Sequence, residues 1–113
     1  MVIKNISKGT ELASRAYEAK GLLEKIAGLI ARPPLQEGEA LILSSLAPWI
    51  HSFFMKYPID LVFLSRKGNV VGAQTLSPWR LSSLYLRARW VLELPAGTIK
   101  RSRTEIGDTI EIV

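Results

Sequence analysis

"IDLVFLSRKGNVVGAQTL", residues 59–76, decides the fold. Its first part, Ile59–Ser65, is an apolar run rich in β-branched and aromatic residues, the composition that suits a pleated, packed strand. "RKGN" (Arg66–Asn69) supplies the glycine and polar residues of a tight turn. "VVGAQTL" (Val70–Leu76) then returns, so the whole stretch is expected to form a β-hairpin. Working outward, "RARWVLEL" (Arg87–Leu94) reads as another strand, "PAGT" as a turn, and "DTIEIV" (Asp108–Val113) as a final alternating strand. "SPWRLSSLYL" (77–86) between them is irregular or partly helical.

Toward the N-terminus, "LQEGEALIL" gives a polar loop and a short strand, Ala40–Leu43. "VIKNI" (Val2–Ile6) alternates as a half-buried strand does, and "SKGT" with Gly9 turns the chain. Glu11–Lys20 reads as the second arm of that hairpin, and its Ala and Glu content also permits a helix. One segment changes period: Leu22, Leu23, Ile26, Leu29 and Ile30 share one helical face, and Pro33-Pro34 ends it. Many short strands with one amphipathic helix near 22–32 predict a mainly β fold, a compact antiparallel sandwich or barrel, built as a single domain over 1–113.

Composition narrows the function classes. The chain has 113 residues, 48% hydrophobic, and no cysteine. It therefore holds no disulfide, thiolate nucleophile or cysteine-based metal site. No apolar run approaches the ~18 residues of a membrane span. The N-terminal residues carry no secretory pattern, so a cytoplasmic protein without membrane contact is expected. The net charge is +5, and its excess is local: residues 80–103 hold Arg80, Arg87, Arg89, Lys100, Arg101 and Arg103 against Glu93 alone. Such a stretch suits an anionic partner such as nucleic acid, or else is solvated strand-edge charge. No nucleic-acid-binding motif accompanies it.

The run "WIHSFFMKYPIDLVFL" (49–64) places the single histidine, His51, with Lys56 and Asp60 among apolar residues. Two uses are open. His51 and Asp60 form a general base with its orienting carboxylate in a hydrolase or isomerase. Alternatively, they are polar points of a ligand pocket. No Gly-x-Ser-x-Gly elbow, phosphate loop or metal-ligand spacing supports a more specific chemistry, and no cofactor is expected. Asp60 needs partners if buried, with Lys56 and the strand-opening amides as candidates. Glu93 shares a strand face with Val91 and is expected to accept hydrogen bonds from the Pro95–Thr98 turn. Trp79-Arg80 is either a recognition pair, both side chains stacking on rings and sugars, or a core plug beside a solvated cation. The expected ligand site is therefore His51, Met55, Lys56, Asp60, Trp79, Arg80 and Glu93. Its expected occupant is a small anionic, sugar-like or peptide ligand.

Four pieces of the chain, in order, resemble the DUF192 family, also called COG1430. "FFMKYPIDLVFLSRKGNVV" is similar to its central signature. "EKIAGLIAR" (Glu24–Arg32) resembles its early helix, "VLELPAGT" (Val91–Thr98) its Leu-Glu-x-x-x-Gly turn, and Gly107-Asp108 its C-terminal Gly-Asp. Lys25, Ile30 and Ser65 depart from that pattern, Ser65 standing where an Asp is common. The resemblance implies a small sandwich or jelly-roll-like fold and no particular reaction.

Overall fold

The computed structural model describes residues 1–18, 34–44 and 56–113. The expected helix near 22–32, His51 and Met55 lie outside the described residues. Among the described residues, eight strands run in chain order: β1 Ile3–Asn5, β2 Thr10–Ala13, β3 Arg15–Glu18, β4 Glu39–Ser44, β5 Ile59–Leu64, β6 Val70–Leu76, β7 Trp90–Pro95 and β8 Ile110–Ile112. A one-turn helix, α1 (Thr98–Ser102), follows β7.

The strands form two sheets, β2-β1-β8 and β3-β4-β7-β5-β6, an open sandwich and not a closed barrel. Pairing is antiparallel except between β3 and β4, which run parallel. The 59–76 hairpin forms with both arms where the sequence puts them. Its turn needs Gly68, whose φ is 88° and where a Cβ would lie 2.9 Å from the Ile110 carbonyl oxygen. The Ile110 amide in turn donates to the Gly68 carbonyl, joining the hairpin tip to β8. Where it is described, up to Glu18, the 11–20 segment is strand. β2 pairs back on β1, then the chain crosses at Ser14 into the second sheet as β3.

Period-2 alternation sorts the side chains into two clusters. Ile3, Leu12 and Ile110 from the small sheet pack against Ile42, Val62, Leu64, Leu92 and Leu94 from the large one. That is the sandwich core. On the opposite, outer face of the large sheet, Leu43, Ile59, Leu61, Phe63, Leu76 and Val91 form a second buried cluster. Every β5 residue is consequently buried, which explains its unbroken apolar run. Tyr85, from the loop after β6, helps cover this outer face. Its ring centroid lies 4.4 Å from that of Phe63. It also occupies the space where a Cβ on Gly72 would sit.

A polar clasp ties the two chain ends together. Asp108 accepts hydrogen bonds from the Asn5 side-chain amide (2.9 Å), the Glu105 amide (2.9 Å) and the Lys8 ammonium (2.8 Å). The Asn5 amide and the Lys8 ammonium, in that order, hold its carboxyl down at about 2. A lowered carboxyl favours the folded state above the unfolded value near 3.8, and that contribution disappears as pH falls toward 2. Acid titration of the melting temperature is expected to drop through this window in the wild type. Asp108→Asn is expected to lower the neutral-pH melting temperature and flatten that part of the profile.

Candidate functional site

Two carboxylates are wholly buried in the large sheet, Asp60 on β5 and Glu93 on β7. They sit on neighbouring strands, yet point to opposite faces. Asp60 pairs across to Leu94, and Glu93 to Leu61, so alternation sends one carboxylate inward and the other outward.

Asp60 is surrounded by donors. Its Oδ1 accepts from the Thr75 hydroxyl at 2.6 Å. Its Oδ2 accepts from the backbone amides of Gly97 at 3.1 Å and Ile99 at 2.9 Å. Gly97 takes a φ of 98°, the left-handed conformation open to glycine, and its amide meets the carboxylate as the chain enters α1. α1 has no side-chain N-cap of its own residues, so an oxygen 37 residues earlier in the chain satisfies its first amides. Of the Pro95–Thr98 amides expected at Glu93, that of Gly97 goes to Asp60. The partners of Asp60 are not the expected Lys56, which is exposed, and strand-opening amides, but the Thr75 hydroxyl and the Gly97 and Ile99 amides.

Glu93 occupies the outer face. It lies in the middle strand of the large sheet, cross-paired with Leu41 on β4 and Leu61 on β5. Both neighbours belong to the outer apolar cluster, with Val91 on the same strand face and Tyr57 packed nearby. The carboxylate interacts with other groups of the protein. Its Oε2 atom is itself buried and accepts no hydrogen bond.

The remaining described site residues lie at the surface. Lys56 and Arg80 are exposed, and Trp79 is 57% exposed in a left-handed conformation with φ 62°. A bulky residue held there costs about 1–3 kcal/mol, and the Trp79 side chain is directed to the surface, not into the core. The basic stretch does not form one surface. Arg87 and Arg89 precede β7 while Lys100, Arg101 and Arg103 follow it, and a six-residue strand spans roughly 20 Å. Arg101 also donates to the carbonyls of Glu11 and Leu12, and Arg103 to that of Lys8, so both brace the β1–β2 hairpin. Among the described residues, no three His, Asp or Glu side chains come together as a metal site, and no helix is long and apolar enough to cross a membrane.

A family model described as uncharacterized ACR, COG1430 matches residues 3–112. The chain belongs to the DUF192 family. A UPF0127 protein of Pyrococcus abyssi is 34% identical over 115 residues, covering 97% of this chain and 96% of the relative. A UPF0127 protein of Pyrococcus horikoshii is 32% identical, with 97% of each chain covered. The crystal structure of a protein of unknown function from Novosphingobium aromaticivorans superposes with a TM-score of 0.81 at 20% identity, over 98% of this chain and 82% of that one. That of a putative transcription regulator from Sinorhizobium meliloti gives 0.71 at 20% identity, over 85% and 79% of the two chains. These likenesses show a shared fold. Within this DUF192 chain, the central and turn pieces of the motif meet in space, while the 24–32 piece lies outside the described residues. The Asp of Ile59-Asp60 binds the amide of Gly97 that ends the Leu92-Glu93 turn motif, and Asp108 of the Gly-Asp pair closes the terminal clasp. Sequence spacing did not single out Thr75, Asn5 or Lys8, because their partners lie on distant segments.

Proposed function

We propose that this DUF192 protein is a small ligand-binding module, with its site on the outer face of the large sheet and Glu93 as the polar anchor. The observation that carries this reading is a wholly buried carboxylate set among Leu41, Leu61 and Val91. Burying a carboxylate is costly, and a leucine would fill an apolar face without that cost. A carboxylate has about four acceptor positions, so it can hold an internal contact and still receive ligand donors. Tyr57 and Tyr85 are half-buried against the same cluster and offer ring faces beside it. Ring faces with a carboxylate suit a neutral, sugar-like ligand: hydroxyls donate to the carboxylate while the sugar ring stacks. An anionic ligand's oxygens are acceptors and offer that carboxylate no donors. Tyr57 packs on the outer cluster, and its sequence neighbours His51, Met55 and Lys56 are proposed as further site residues. Trp79 and Arg80 are its proposed rim. Asp60, with both oxygens engaged by Thr75, Gly97 and Ile99, is a structural clamp in this reading, and that disfavours an enzyme built on a His51–Asp60 pair.

A thermal-shift screen tests the proposal. Neutral sugars and polyols are expected to raise the melting temperature of the wild type, since a ligand binding only the folded state stabilises it by mass action. Organic acids are expected to leave it unchanged. Glu93→Gln is expected to remain folded and lose the sugar response. A screen with no sugar response, or a response retained by Glu93→Gln, contradicts the reading.

A further inference from the structure

The loop between β6 and β7 presents apolar side chains to solvent. Trp79 is 57% exposed, Leu81 56%, Leu84 63% and Leu86 84%. Four large apolar side chains standing out from one short loop are not needed by the fold, and such concentrations mark interaction sites. The loop is held in place and is not merely loose chain. Tyr85, between Leu84 and Leu86, is turned inward onto Phe63 and over Gly72. The Ser83 amide donates to the Gln74 side chain at 3.0 Å, and the Arg89 amide to the Leu64 carbonyl at 2.8 Å. With Tyr85 fixed, its two leucine neighbours point away from the sheet.

Charge indicates the occupant. From residue 61 to residue 92 the sequence holds no Asp or Glu, against Arg66, Lys67, Arg80, Arg87 and Arg89. The loop therefore alternates protruding apolar groups with cations and has no compensating acid. We propose that this loop docks on an anionic lipid surface, with Trp79, Leu84 and Leu86 entering the headgroup region and Arg87 and Arg89 meeting lipid phosphates. Tryptophan favours that interface, and arginine stems lie along apolar surface while the guanidinium reaches phosphate. A fluid headgroup layer admits separate protrusions without a matching groove, whereas a protein partner must supply one. Docking from the surface needs no spanning segment. Because the loop is already fixed, little ordering entropy opposes docking.

Flotation with lipid vesicles tests this, using phosphatidylcholine alone and phosphatidylcholine mixed equally with phosphatidylglycerol. Binding is expected to the mixed vesicles only, with a blue shift in tryptophan emission that Trp79→Phe abolishes. Leu84→Ser with Leu86→Ser is expected to weaken binding on the order of tenfold while the melting temperature holds. Arg87→Gln with Arg89→Gln is expected to weaken it about fivefold per arginine, and high salt to weaken it likewise. Absence of vesicle binding at low salt overturns the proposal. So does binding indifferent to the leucine pair. Equally strong binding to soluble polyglutamate would assign the loop to an acidic protein instead. Glu93→Gln serves as a control and is expected to bind vesicles like the wild type, so failure of the sugar site and failure of lipid docking are read separately although Trp79 is placed in both.

Discussion

Asp60→Ala is expected to lower the unfolding free energy by about 3–5 kcal/mol, while Asp60→Asn costs only about 1 kcal/mol. The alanine variant strands three donors in or beside the core: the Thr75 hydroxyl and the Gly97 and Ile99 amides. Each buried donor left without an acceptor costs about 1–3 kcal/mol, and the Thr75 hydroxyl can turn to water. Asparagine keeps the pattern with one rearrangement. Its carbonyl oxygen takes the two backbone amides, and its amide group donates to the Thr75 oxygen, which accepts as well as donates. Urea unfolding of both variants checks this. The ratio of the two losses matters more than either value, because a purely charge-based role would make asparagine nearly as damaging as alanine.

Phe63→Ala is expected to be about as severe, a loss of about 3–5 kcal/mol and a fall in melting temperature on the order of 15 °C. Phe63 is fully buried at the middle of the outer cluster. Its removal leaves a cavity and also takes away the ring on which Tyr85 rests, 4.4 Å between centroids. The two effects separate experimentally. Phe63→Leu refills most of the volume without the ring contact, and is expected to recover most of the stability. Calorimetry on the pair gives the two contributions.

The strands legible in the sequence were those whose signals are local. β5, the Gly68 turn and β6 appear within a residue of their expected bounds, because apolar content and turn chemistry both reside in the 59–76 stretch itself. β1, β4, β7 and β8 also fall inside or close to their expected ranges. β3 was ambiguous because its partner in parallel pairing is β4, beyond an intervening segment, and nothing in Arg15–Glu18 encodes that distant match. α1 was missed for a related reason. Five residues cannot nucleate a helix in isolation, and its first amides are satisfied from β5, not by its own sequence. The candidate site divided the same way. Asp60 and Glu93 were visible as carboxylates in apolar runs. That one serves the inner face and the other the outer depends on register between β5 and β7, which only pairing reveals.

Calorimetric titration distinguishes the roles of the two buried carboxylates, Glu93 as ligand anchor and Asp60 as clamp. The sugar or polyol giving the largest thermal shift is titrated into the wild type, Glu93→Gln and Asp60→Asn. The predicted result is heat of binding in the wild type and in Asp60→Asn with similar affinity, and none in Glu93→Gln. Binding that survives Glu93→Gln but is lost in Asp60→Asn would reverse the assignment and place the ligand on the inner face.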